Sequence, residues 1–149
     1  MNLSPHFTEA ELTASSKATQ LGIDNTPNDE IRDNLATLAD GLERVRSVLG
    51  CAMGVSSGYR CPKLNAANKG AKRSAHMQGL AADFTAPAFG DPLAIVKAIV
   101  ANKQAIGFNR VINEGHWVHV DFPIEGSKPA FTVLTAHFSA SGTTYTEGA

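Results

Sequence analysis

One apolar stripe constrains this chain more than any other feature. Ile31, Leu35, Leu38, Leu42, Val45 and Leu49 recur at steps of three and four residues, so a helix over about residues 28–49 places them all on one face. Asp29, Glu30, Arg32, Asp33, Glu43, Arg44 and Arg46 fall mainly on the other faces, and Gly50 supplies a stop. The stripe is core rather than a binding surface. With 149 residues, 43% hydrophobic and 18% charged, the chain has the size of one domain and enough apolar material to fill it.

Shorter signals surround that helix. Thr8 and Glu11 have capping-box spacing, and Phe7 and Leu12 bracket them as a hydrophobic staple does. They predict a short first helix, followed by a polar loop over 23–28. Residues 53–60 read as a strand entering a tight loop, and 62–68 as one or two helical turns. Leu80, Ala81, Ala82, Asp83 and Phe84 form a short apolar run between Gly79 and Pro87, which favours a buried strand. Asp91 and Pro92 have the chemistry of a helix start, and Ile95, Val96, Ile99 and Val100 give that helix its buried face. Residues 110–113 and 117–122 read as two strands around the turn Glu114-Gly115. One more strand is expected over 131–138, and the small polar residues 139–149 read as a frayed tail. The pattern predicts an α+β fold in which an antiparallel sheet packs with helices.

Charge and termini narrow the function classes. The formal net charge is -1, and no basic block of the kind that grips phosphates is present, so nucleic acid is not an expected partner. Lys69, Lys72 and Arg73 read as a solvated loop. The first residues lack a basic region followed by an apolar run, and the longest apolar stretch, 93–101, is broken by Lys97 and too short to span a bilayer. The expectation is a chain made in the cytoplasm without a signal peptide, with no membrane association. Cys51 and Cys61 lack zinc-ribbon spacing and read as two free, partly buried thiols, a bridge being the alternative because both flank one predicted strand. Neither has a local base to make it a nucleophile.

The chemistry-bearing residues are few. His76 and Asp83 are separated by six residues, and His119 sits between Val118 and Val120 on a later strand. Two imidazoles and one carboxylate make a catalytic zinc set that keeps a fourth position open. Asp83 lies inside an apolar run, where an unpaired carboxylate is costly to bury and a metal removes that cost. The spacing alone also suits a surface His76, a turn-capping Asp83 and a core His119. Asp121 shares the strand face of His119 and is a candidate acceptor for an imidazole N–H. His6 and His137 fall outside these motifs and read as exposed or structurally bonded.

Three segments taken together resemble a known family. They are Ser57-Gly58-Tyr59-Arg60-Cys61-Pro62-Lys63-Leu64-Asn65, then Ser74-Ala75-His76-Met77-Gln78-Gly79-Leu80-Ala81-Ala82-Asp83, then Trp117-Val118-His119-Val120. In that order they resemble the zinc D-Ala-D-Ala carboxypeptidase and L-alanyl-D-glutamate endopeptidase family, which includes many phage endolysins. The resemblance implies a hedgehog/DD-peptidase fold, with a zinc peptidase domain over 1–138 and a flexible tail over 139–149. It implies one zinc ion (Zn2+) on His76, Asp83 and His119. Arg60 matches an arginine that, in relatives, binds a substrate carboxylate or polarises a carbonyl. Ser74 and Gln78, flanking the first ligand, are candidate substrate hydrogen bonders. The implied substrate is the peptide stem of bacterial peptidoglycan, cut by a monomeric endolysin-type endopeptidase after the membrane is permeabilised. A D-Ala-D-Ala carboxypeptidase and a non-catalytic, zinc-stabilised wall-binding module are the alternatives.

The chain departs from the family at one place. Several relatives carry an acid three residues before the last histidine ligand, where this chain has His116. Glu114 is the nearest upstream acid. In a regular strand His116 and His119 point to opposite faces, so His116 reaches the metal only if Gly115 bends the chain. Either Glu114 or His116 is the candidate for proton transfer.

Overall fold

The computed structural model of the protein describes residues 2–149. The predicted long helix, α3, is Asp29–Leu49, begun by Asn28, whose side chain accepts the Ile31 N–H at 2.8 Å, and ended by Gly50 in the left-handed region. Before it come α1, Glu9–Thr13, and α2, Ser16–Leu21. The Thr8 hydroxyl accepts the Glu11 N–H at 3.1 Å, as the capping box requires, and Phe7 and Leu12 are both buried. After α3 the chain runs through β1 (Gly54–Ser57), α4 (Pro62–Ala67), a 3-10 turn (Ala75–Gln78) and β2 (Ala81–Thr85). Then follow α5 (Pro92–Ala101), α6 (Lys103–Ile106), β3 (Arg110–Asn113), β4 (Val118–Asp121), β5 (Thr132–Ser139) and β6 (Gly142–Glu147). The helices α2 and α6 were not expected from the sequence; each is too short to show a helical period.

The strands form one six-stranded sheet in the order β1-β2-β4-β3-β5-β6. Its first four strands are antiparallel neighbours, with Asp83 opposite His119 and His119 opposite Ile112. The α+β fold and the antiparallel pairing are as expected, except that β5 lies parallel to β3 and makes the sheet mixed. After β4 the chain crosses to the free side of β3 through a loop pinned by Asn109, whose carbonyl accepts from Thr132 N and whose side chain accepts from Ala130 N. A strand entering from that end must run with β3.

The expected frayed tail is also corrected. Residues 142–147 form β6, hairpin-paired to β5 from Ser139↔Gly142 to Leu134↔Glu147. Thr143, Thr144, Tyr145 and Thr146 are β-branched or aromatic and suit a pleated surface, but every residue of β6 is exposed, so no apolar alternation marks it in the sequence. Among the described residues no helix is long and apolar enough to cross a membrane. Cys51 and Cys61 are free thiols.

The core lies between one face of the sheet and the helices. Leu35, Leu38, Ala39, Leu42 and Val45 of α3 and Ile95, Val96 and Ile99 of α5 pack with Ala82, Phe84, Val111, Val118 and Val120. Gly41 permits α3 to approach Phe122 closely: a Cβ there would lie 2.5 Å from the Phe122 ring. Because strand residues alternate in direction, Asp83, His119, Asp121, Arg110 and Ile112 are turned to the opposite face, away from the helices.

Candidate metal centre

Each of the three proposed ligands is held by a different device. His76 sits in the 3-10 turn, where the Ser74 hydroxyl accepts its N–H at 3.1 Å and Gly79 closes the turn with φ 74. Its Nδ1 lies 2.7 Å from the Gly58 carbonyl. A carbonyl only accepts, so Nδ1 carries the proton and Nε2 presents a lone pair. Gly58 itself is pressed against α1, since a Cβ there would lie 2.2 Å from the Leu12 carbonyl oxygen. Asp83 and His119 are cross-strand partners in β2 and β4. His119 Nε2–H donates to Asp121 at 2.7 Å, which leaves Nδ1 as the free lone pair. Asp121 is buried and also accepts from Arg110 Nε at 3.2 Å.

These bonds aim three electron-pair donors at one point. His76 Nε2 and His119 Nδ1 lie 3.3 Å and 3.2 Å from the same Asp83 oxygen, and one ligand atom from each of the three residues falls within 4.8 Å of the others. Zinc bonds of about 2.0–2.2 Å in a tetrahedron separate ligand atoms by about 3.3–3.6 Å, close to the two distances to Asp83. Three lone pairs at that distance repel unless a cation stands among them. Without a metal the group draws in protons instead. Burial alone would lower the His119 pKa, but the hydrogen bonds to Asp121 and Asp83 outweigh it and push it up to about 9. Burial would raise Asp83, and its bonds from His119 and His76 outweigh that and hold the carboxyl well below the usual range. Both shifts have one physical cause: the imidazoles and the carboxylates are paired with one another.

The ligand atoms open into a cleft of about 470 Å³. Arg60 lines it from the segment after β1, and its Nε is buried without a hydrogen-bond partner. Burial lowers the guanidinium pKa while Asp83 raises it. Glu114 lines the cleft from the end of β3 on the same face as Ile112 and Arg110. Burial pushes its carboxyl up and the Asp83 charge adds to that, against His119 and Arg110. The turn after it is closed by Glu114 N–H donating to the Trp117 carbonyl at 3.0 Å, with Gly115 at φ 87.

Two sequence candidates lie elsewhere. His116 is exposed at the tip of that turn and does not line the cleft, because the bend at Gly115 turns the chain outward. Gln78 is exposed as well; the 3-10 turn that buries His76 carries Gln78 to the outside, where its carbonyl accepts from Asn34 Nδ2 at 2.9 Å. Ser74 does line the cleft, with its oxygen engaged as the cap of His76. His6 pairs with Glu43 and His137 with Thr146, away from the centre.

Several lining residues were not anticipated as site residues. Lys69 and Arg73, read as a solvated loop, border the cleft, and Arg110 adds a third cation besides Arg60. Period-two alternation from Ile112 marks Arg110 in the sequence. Leu134 and Tyr145 come from the β5–β6 hairpin, and nothing local in the sequence ties them to the site.

Comparison with known proteins agrees with this geometry. No curated protein matches the chain. A family model described as Peptidase M15 matches residues 5–121, a segment that carries the His76, Asp83 and His119 group together with Arg60 and Glu114. The chain therefore belongs to the Peptidase M15 family, zinc peptidases that act on peptidoglycan-like substrates.

Proposed function

We propose that this peptidase cuts an amide in the peptide stem of bacterial peptidoglycan, in the manner of an L-alanyl-D-glutamate endopeptidase-type endolysin. The observation that carries the reading is the convergence of His76 Nε2, Asp83 Oδ1 and His119 Nδ1 on one point, open to a cleft that also holds Glu114 and Arg60. His76, Asp83 and His119 would hold the ion; when bound, zinc supplies Lewis-acid polarisation of a carbonyl and activation of a water.

The remaining chemistry belongs to the chain. Glu114 takes a proton from the attacking water and returns it to the leaving amine, a role suited to a carboxylate whose pKa is raised by burial. Arg60 offers an unpartnered Nε to a substrate oxygen. Lys69, Arg73 and Arg110 make the cleft locally cationic in a chain of net charge -1, which suits a stem peptide bearing free carboxylates. Asp121 and Arg110 hold the Nε2–H of His119 and so fix the ring that presents Nδ1.

The place of Glu114 in the cleft speaks against a non-catalytic wall-binding module, since the acid missing at position 116 is supplied from the same turn. The D-Ala-D-Ala carboxypeptidase reading is separated by product. Mass analysis of purified muropeptides after digestion should show cleavage between L-alanine and D-glutamate, with L-alanine left on the glycan. Loss of only a terminal D-Ala would replace the endopeptidase reading with the carboxypeptidase one.

A further inference from the structure

The β5–β6 hairpin lies beyond the segment matched by the family model, which ends at residue 121, yet it forms one wall of the cleft. Its placement follows from register. Thr135 pairs with Asn113 in parallel, so Ala136 falls level with Glu114, and Ala136 is opposite Tyr145. Glu114 and Tyr145 thus stand at one height on one face, two strand spacings, about 10 Å, apart. In the register only the small side chain of Ala136 stands between them, and Tyr145 lines the cleft. The hairpin is docked against the turn that carries Glu114 through Phe138, whose ring centroid is 6.2 Å from that of Trp117.

We propose that Tyr145 is a substrate-binding residue of this cleft, its hydroxyl donating a hydrogen bond to a carbonyl oxygen of the bound peptide and to the oxyanion that forms from it. Among the described residues no side-chain hydrogen bond ties that hydroxyl to the protein, so it is available to a ligand. Burial pushes the phenol pKa up, with Glu114 and Asp83 adding to the rise and Arg110 opposing it; the group stays a neutral donor on the cleft wall. A donor placed where negative charge develops acts most strongly in the transition state. The inference rests on the peptidase reading of the same cleft.

The test uses the zinc-loaded full chain as wild type, Tyr145→Phe and Tyr145→Ala. The first probe is a phosphinate dipeptide, whose tetrahedral anionic group mimics water added to an amide. Its binding is read by fluorescence of Trp117, the only tryptophan, at the cleft edge. Both variants should keep zinc content and melting temperature, because Tyr145 is half exposed. They should bind the phosphinate about 10- to 100-fold more weakly and lose kcat/KM on muropeptides by a similar factor, mainly in kcat. Equal phosphinate affinity in wild type and Tyr145→Phe would overturn the inference whatever the wall assay gives. Failure of wild type to cleave muropeptides, with the phosphinate difference intact, would overturn the peptidoglycan reading and leave Tyr145 in place. No phosphinate binding by wild type would overturn both.

Discussion

The two faces of strands β2 and β4 are made of adjacent residues and behave as different materials. Ala82 and Phe84, with Val118 and Val120, point to the helices and are fully buried in a core of apolar contacts. Asp83, His119 and Asp121 point the other way and carry the charge of the site. One face is stabilised by area removed from water, roughly 25 cal/mol per Å² and without direction. The other is held by directional bonds, Gly58 to His76 and Asp121 to His119. The close packing of the first gives the second its precision, because strands clamped by Phe84 and Val120 cannot slide out of the register that sets Asp83 opposite His119.

The largest expected effect comes from breaking the polar face. Asp83→Ala or His119→Ala should lose stoichiometric zinc and all measurable turnover, as chelation of the wild type should. Metal analysis after gel filtration, alongside a muropeptide assay, reads both, and retention of tight zinc by either variant would remove that residue from the ligand set. Glu114→Gln should keep zinc and melting temperature while kcat falls by about 10²- to 10⁴-fold, whereas His116→Ala should leave kcat near wild type. The reverse pattern would hand the proton to the turn tip. On the apolar face, Phe84→Ala should cost about 3–5 kcal/mol of unfolding free energy, measured by urea denaturation. The sharpest comparison is with its neighbour Asp83: loss of zinc stoichiometry in folded Phe84→Ala, with no change of stability, would invert the roles assigned to the two faces.

The smallest effect belongs to neither face. Glu43, on the outer side of α3, accepts from the Ser4 hydroxyl at 2.6 Å and from the His6 backbone N–H at 2.7 Å. Burial acts to raise its pKa, and the bonds from Ser4 and His6 outweigh that and lower it. A folded-state pKa below the unfolded one means the contribution is present above about pH 4.5 and is lost as pH falls through the lowered value. For so exposed a pair the gain is at most about 1 kcal/mol. Glu43→Gln should flatten the pH dependence of stability between about pH 3 and 5 without touching zinc content; an unchanged slope would show that the clamp is not felt in solution.

Much of the scaffold is legible residue by residue. The period of Ile31 to Leu49 marks α3 because helix burial repeats every 3.6 residues, and Thr8, Asp91 and Gly50 mark helix ends because unpaired backbone groups need partners there. The centre was legible in part. An aspartate inside Leu80-Ala81-Ala82-Asp83-Phe84 is costly without a partner, and that cost points to it. Gln78 and His116 were misplaced for a common reason: in a 3-10 turn or a glycine bend, a residue next to a site residue can face either way, and no period predicts which. Tyr145 was read as tail because an exposed strand buries nothing that alternates.

The sequence by itself determined which segments are helix or strand, which side of each is apolar, and which residue types are available for metal chemistry, since these depend on neighbours a few positions away. The tertiary structure decided what those residues do together. It set His76 Nε2 and His119 Nδ1 on one Asp83 oxygen, put Glu114 in the cleft and His116 outside it, and laid the β5–β6 hairpin beside β3 as a wall of the cleft. Each of these depends on strand register and on the path of a loop, which couple residues tens of positions apart, and no local pattern encodes such a pairing.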